Sequence, residues 1–291
     1  MAAAYLEASA PGKLMILGEH GVLAGSHCLV AAVDKRISVK LRPRSDQQAH
    51  IKTDFGFYVS SLHDLEPDNR FRFVIAALSS LVQELPSGLE LQIHSEFSHK
   101  VGLGSSAAVT VAVLAALQSW CRKETDLDRL FADSLQVIHN VQGTGSGADV
   151  AASVFGGLVL YRRAPLLISA MPAAPALTVV YSGYKTPTVQ VIENVMTMQR
   201  QHPDIFQHVY STMDAISLES ESAIRAQDWH RLATLLNVNQ GLLNAIGVSS
   251  ADLEELIFLL RSDSAILGAK ISGSGLGDCV IAVGEASGQT L

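Results

Sequence analysis

The sequence predicts an α+β protein folded in two lobes, and three observations predict it. Short apolar runs alternate with glycine turns over residues 5–42 and again near the C-terminal end, which is strand-and-turn patterning. Four consecutive stretches between 186 and 261 read as helices, several with mixed apolar and charged faces. Between these regions the composition shifts: "RRAPLLISAMPAAPA" holds three prolines and many small residues, as a connection between lobes or a strand with an irregular end would. The boundary is expected within 160–175. The length of 291 residues, 48% of them hydrophobic, suffices for one large or two modest cores.

The elements follow in order. "KLMIL" and "CLVAAV" read as buried strands, and "RISVKLRP" as a half-exposed strand stopped by Pro43. Residues 46–60 give further strand and turn. "RFRFVIAALSSLVQEL" has helical spacing and ends at "PSG", after which "GLELQIHSE" alternates as a strand does. Helices are predicted over 106–122 and 126–142, and a strand at "GLVLY". "LTVVYS" is a strand, and the helices 186–200, 205–226, 228–246 and 250–261 follow it. "AKISGSGLGDCVIAVGE" reads strand, glycine loop, strand.

Composition removes several function classes. The net charge is −7 with no basic block, which argues against a nucleic-acid or anionic-membrane surface. The opening "MAAAYLEASAPGKL" lacks a basic and then apolar leader, so no secretory signal is expected. The longest apolar run, "VGLGSSAAVTVAVLAAL", is shorter than the roughly 20 residues that span a bilayer. Cys28, Cys121 and Cys279 are scattered, and the ten histidines form no close metal pattern. A reduced, cytoplasmic protein is expected.

Three glycine loops carry the chemistry. In the first, Gly102 to Ser106, glycines admit a ligand to the main chain, and the following helix offers unpaired N–H groups and a partial positive charge. That is an anion site, with Ser105 or Ser106 able to give a hydroxyl to Mg²⁺; the plainer reading is a glycine turn with Ser106 as helix cap. No Gly-Lys-Ser/Thr follows, so it is not a Walker A loop. The second, "GTGSGADVAAS", contains one acid, Asp149, which reads as a catalytic base or as a cap of a helix or turn. The third, "SGSGLGDC", is a wide hairpin turn or a place where backbone approaches a ligand. Near the N-terminus Lys13 follows Gly12, with Glu19 and His20 at the next turn; the lysine meets a phosphate or lies on the surface. Together these loops point to a nucleotide-phosphate site.

Taken in order, these stretches resemble the GHMP kinase superfamily. "APGKLMILGEHGVLAG" resembles its first motif, "VGLGSSAAV" its phosphate-binding second, and "KISGSGLGDC" its third. The resemblance implies a two-lobed fold: an N-terminal nucleotide-binding domain over 1–165 and a ferredoxin-like C-terminal domain over 166–291, with the active site in the cleft between them. It implies ATP and Mg²⁺ as cofactors. Gly102, Leu103, Gly104, Ser105, Ser106 and Ala107 then wrap the ATP phosphates, with Ser106 on the metal. Asp149 matches the catalytic aspartate and Lys13 the lysine near it. Glu19 and His20 match positions facing the acceptor, and Gly273, Ser274 and Gly275 match the motif that supports the phosphate loop and the substrate.

"GEH" and the short length resemble the mevalonate kinase branch, which implies isoprenoid biosynthesis. "VQGTGSGADVAASVFGG", "GDC" and "AVDKRISV" resemble the phosphomevalonate kinase branch. One departure stands out. Mevalonate kinases commonly carry a Mg²⁺-binding glutamate four residues before the glutamine of "VQG", and Ile138 stands there. Mevalonate is the expected acceptor and phosphomevalonate the alternative. Lys185, Arg36 and Lys100 are candidates for an extra phosphate, or ordinary solvated charges. Retention of Lys13, Ser106 and Asp149 together argues against a non-catalytic nucleotide-binding homologue. "GEH" and "GLGSSAA" argue against the related decarboxylase. The partner is a small molecule, not nucleic acid or membrane, and a homodimer is left open.

Overall fold

The computed structural model describes residues 5–98, 101–122 and 126–287, so Lys100 lies outside the described residues. The chain forms two compact units that interleave along the sequence. Unit 1 takes the described residues of Met1–Lys13, Ala32–His99 and Leu103–Gly156; unit 2 takes those of Leu14–Ala31, Lys100–Gly102 and Gly157–Leu291. The compact units thus exchange segments along the sequence. Two long strands, β1 (Leu6–Leu17) and β2 (Cys28–Pro43), begin in one unit and end in the other. "CLVAAV" and "RISVKLRP", expected as separate strands, are the two halves of β2. No glycine or proline separates them, and the polar Asp34 and Lys35 between them, with Arg36 next to them, stay exposed without needing a turn.

In unit 1, β3 (Gln48–Thr53) and β4 (Gly56–Ser61) form a hairpin, and β5 (Leu89–Ser95) lies parallel to β3 and antiparallel to the second half of β2. Ile37, Val39 and Leu41 alternate inward on β2 as the period of 2 demands. Four helices pack with one another in this unit: α1 (Arg72–Leu81), α2 (Ser105–Arg122), α3 (Leu127–Gln142) and α4 (Ala148–Phe155). α3 starts at Asp126, whose carboxylate accepts from the N–H groups of Asp128 at 2.9 Å and Arg129 at 3.3 Å, and stops at Gly143 in the left-handed region. α2 is buried over most of its circumference from Ala107 to Gln118, as a helix apolar all round must be.

In unit 2, the first half of β2 pairs with β6 (Leu158–Arg162), and β6 with β7 (Leu167–Ala170). A separate antiparallel sheet runs β8 (Leu177–Lys185), β10 (Gly277–Gly284), β9 (Ile266–Ser272). The helices α5 (Thr188–Gln201), α6 (Pro203–Arg225), α7 (Trp229–Ala245) and α8 (Ala251–Ser262) match the four predicted ones closely. α7 and α8 pack on β9. Polar side chains of α7 serve the open edge of that strand: Asn237 accepts from the Ala269 N–H at 3.2 Å and Gln240 from the Ile271 N–H at 2.9 Å. Among the described residues no helix is long and apolar enough to cross a membrane.

Candidate active site

Lys13, Leu103, Gly104, Ser105, Ser106, Ala107 and Asp149 belong to unit 1; Gly102, Glu19, His20, Gly273, Ser274 and Gly275 belong to unit 2.

Within unit 1 the strand and the loop are joined through their main chains. The Lys13 N–H donates to the Leu103 carbonyl at 2.9 Å. The lysine's aliphatic stem lies along Gly104: a Cβ there would stand 2.8 Å from Lys13 Cγ and 3.0 Å from Cε, and the glycine has φ +71°. Gly104 is thus required twice, by backbone conformation and by the lysine stem. α2 opens at Ser105, and the Ala108 N–H makes an early helical bond to the Gly104 carbonyl at 3.1 Å. The N–H groups of Ser105, Ser106 and Ala107 consequently have no intrahelical acceptor and sit at the positive end of an 18-residue helix. Because α2 is buried, these N–H groups are held rigidly.

Asp149 is half-buried in the first turn of α4, where its Oδ1 accepts from the Val150 N–H at 3.0 Å. "GADVAASVF", whose start reads as loop from sequence, is largely this helix, with Gly147 in the left-handed region as its cap. Asp149 therefore does not supply the cap. Ser153, one turn further on, donates its buried hydroxyl to the Pro11 carbonyl at 2.9 Å. The helix bearing the acid is so fastened to the strand bearing Lys13, two residues before the lysine.

Within unit 2 the "GEH" turn and the β9–β10 loop form a second cluster. His20 has φ 58°, uncommon outside glycine, and its Nε2 donates to the Ser274 carbonyl at 2.9 Å. Burial holds the imidazole below its ordinary pKa, against the opposing bond to Ser274 and the charge of Glu19. Glu19 is 2% exposed and Lys270 fully buried, and the Lys270 ammonium is bonded to Glu19 Oε1 and to the Ile271 carbonyl. Asn239 Nδ2 donates to the other carboxylate oxygen at 3.4 Å. Burial pushes the Lys270 ammonium below its ordinary pKa, and Glu19 pulls it back. Exposed ion pairs contribute about 0–1 kcal/mol; unpairing a buried one costs about 3–5 kcal/mol, because the remaining charge is stranded.

The β9–β10 loop is the predicted hairpin. The Leu276 N–H donates to the Val248 carbonyl at 2.8 Å, and Ser272 Oγ to the Met15 carbonyl at 2.8 Å. Gly102 meets the loop closely: a Cβ would fall 2.7 Å from the Asp278 carboxylate carbon. Cys279 Sγ donates to the Val101 carbonyl at 3.3 Å. Lys185 lies 3.2 Å from Asp278 Oδ1, in an ion pair whose lysine is exposed and whose aspartate is buried. Three buried atoms of this cluster, Ser274 Oγ, Asn239 Oδ1 and Asp278 Oδ1, have no hydrogen-bond partner, the last having only its ion pair with Lys185.

Lys270, Asn239 and Asp278 escape sequence reasoning. Their one signal is polarity in the wrong place: a lysine in the buried strand "ILGAKIS", and an asparagine on the buried face of α7. Ile138 is 2% exposed and packs inside α3. Ile138→Glu is expected to destabilise the fold by about 3–5 kcal/mol by burying an unpaired charge, not to recruit a metal; urea denaturation with and without Mg²⁺ checks this.

Known proteins carry the same organisation. The family description "GHMP kinases N terminal domain" matches residues 72–157, and "GHMP kinases C terminal" matches 220–289. A mevalonate kinase of Archaeoglobus fulgidus is 35% identical over 276 residues, covering 94% of this chain and 90% of its own. The crystal structure of L. major mevalonate kinase in complex with R-mevalonate superposes with a TM-score of 0.80 at 26% identity, covering 99% of this chain and 90% of that one. A Streptococcus pneumoniae phosphomevalonate kinase shares the fold with a TM-score of 0.83 at 19% identity, covering 98% and 93%. The chain belongs to the GHMP kinase superfamily, a family of ATP-dependent small-molecule kinases.

Proposed function

We propose that the protein transfers the γ-phosphoryl group of ATP to the alcohol of mevalonate, in the cytoplasm, as a step of isoprenoid biosynthesis. The observation that carries the reading is the common frame of unit 1. The Lys13 stem lies along Gly104, and the Asp149 helix is bonded through Ser153 to the Lys13 strand. Lysine, acid and anion-binding helix start are therefore built on one rigid support, as positioning-dominated phosphoryl transfer requires.

In this reading Gly102, Leu103, Gly104, Ser105, Ser106 and Ala107 hold the ATP phosphates, through N–H groups and the α2 dipole. Lys13 stabilises charge on the γ-phosphoryl group as it transfers. Asp149 orients the alcohol and takes its proton as the new P–O bond forms and the bond to the ADP oxygen breaks. An acid much stronger than an alcohol gains most from this late in the transfer. Glu19, His20, Gly273, Ser274 and Gly275 serve the acceptor, and the buried, unpartnered Ser274 Oγ supports a hydrogen bond to it.

Among the described residues no group of three or more His, Cys, Asp or Glu side chains is placed to hold a metal. The donors present, the Ser106 hydroxyl and the Asp149 carboxylate, fit Mg²⁺ arriving on ATP phosphates rather than in a protein cage. When bound, it supplies neutralisation of phosphate charge.

Mevalonate is favoured as acceptor by the 35% identical relative. The pairing of Lys185 with Asp278 also favours it, because that lysine brings little surplus positive charge for a phosphorylated acceptor. Purified protein with Mg-ATP is expected to release ADP faster with mevalonate than with phosphomevalonate, homoserine or galactose, in a coupled assay. Faster turnover with phosphomevalonate reassigns the acceptor, and ATP binding without turnover of any acceptor removes the enzyme reading.

A further inference from the structure

We propose that Glu19 and Lys270 act as a charge-balanced buried couple that positions the "GEH" turn for the acceptor, and that Glu19 itself does not touch the acceptor. This rests on the acceptor site proposed above and assigns Lys270 and Asn239 to it as positioning residues.

The argument begins with access. The Glu19 side chain is 1% exposed and that of Lys270 is 0% exposed. Both carboxylate oxygens are occupied, one by the Lys270 ammonium and the other by Asn239 Nδ2. An acceptor reaches Glu19 only by breaking this pair and stranding a buried ammonium, which is strongly unfavourable. The couple does have mechanical consequences. Glu19 precedes His20, whose strained backbone and Nε2 bond to Ser274 set the position of the β9–β10 loop. Lys270 lies on β9 four residues before Ser274, and its ammonium also holds the Ile271 carbonyl. Asn239 belongs to α7, whose Asn237 and Gln240 fix the same strand by its main chain. The turn, the strand and the helix are thus locked at one charged point. A buried pair can be replaced on both sides by neutral groups at little cost, whereas losing one member is harmful. Positioning and direct contact therefore predict different outcomes for a double replacement.

The test is a double-mutant cycle on the full chain: wild type, Glu19→Gln, Lys270→Met, and both together, with Asn239→Ala as a milder variant. Thermal melts and steady-state kinetics with mevalonate and ATP are read for each. Each single charge variant is expected to lower kcat/KM for mevalonate on the order of 100-fold, as small misplacements of a reacting group do, with KM for ATP unchanged. The double variant is expected to recover most of the rate and of the melting temperature. Asn239→Ala lowers kcat/KM for mevalonate in the same direction without stranding a charge. A double variant that melts like wild type yet stays as slow as Glu19→Gln overturns the proposal, since Glu19 then acts on the acceptor directly. An Asn239→Ala enzyme with unchanged kinetics also overturns it. If either single variant does not fold, the rate of the double variant against wild type decides by the same criterion. If wild type turns over no acceptor, the functional reading fails separately, and the couple is read from the His20 ring resonance by NMR. That resonance is expected to move in Asn239→Ala and in each single charge variant, and to return toward its wild-type position in the double charge variant; a resonance unmoved in Asn239→Ala overturns the positioning role.

Discussion

Asp149→Asn is expected to lower kcat about 10²–10⁴-fold while leaving ATP affinity nearly unchanged. Asparagine keeps the size of the side chain and the oxygen that accepts the Val150 N–H, so the first turn of α4 is preserved. The Ser153 bond to Pro11 lies one turn away and is untouched. What is removed is a carboxylate able to take the alcohol's proton. Stopped-flow ATP binding and single-turnover transfer separate the two effects. A variant with wild-type kcat rejects Asp149 as the proton acceptor, whereas a variant that loses ATP binding as well points to a structural role.

Gly104→Ala is expected to be nearly as harmful by another route. Alanine at φ +71° is strained by roughly 1–2 kcal/mol, and its methyl group would stand 2.8 Å from Lys13 Cγ. The obstacle is the middle of the lysine stem, so the whole side chain has to move. Lys13 cannot yield by shifting its backbone, because its N–H is bonded to Leu103 within the same loop. The expected result is a fall in kcat/KM on the order of 100-fold, with only a modest loss of melting temperature. Ala115→Gly, further along α2 and outside the residues assigned to the phosphates, provides a control that weakens the helix by roughly 1 kcal/mol without a left-handed backbone. Equal losses in both variants would mean that general damage to the helix, not displacement of Lys13, is responsible.

Much of this architecture is legible in local sequence, and the exceptions share a cause. The helices of unit 2 are found nearly to the residue because their apolar periodicity is bounded by caps: Asp228 before α7 and Ser250 before α8 each accept a bond from their helix. α4 is missed because "ADVAASVF" is short, small and preceded by three glycines in five residues, so its local signal is that of a turn. Its helicity comes from packing against α2 and α3. β2 is split in two because its middle is polar, although a strand needs no turn where its residues can be solvated. Lys13, Asp149 and the Gly102–Ala107 loop were visible as types in a pattern; their common frame is visible only through Ser153 and Gly104. The partner of Glu19 was invisible for a plainer reason. No property of "LGEH" specifies which of the chain's distant lysines it meets.

That distance has its own consequence. Glu19 and Lys270 are separated by 251 residues, and Met15 and Ser272 by 257. A chain made from its N-terminus presents the carboxylate long before the ammonium exists. Until β9 emerges, the "GEH" turn has to remain hydrated or bury a lone charge, and the second choice is prohibitive. Unit 1 draws its first strand from the segment just before that turn, and all of its residues precede β9 in the chain. Synthesis thus sets an order: the lysine strand and the α4 helix it fastens can come together while the ribosome is still at work, and the "GEH" turn closes only when the last hairpin arrives.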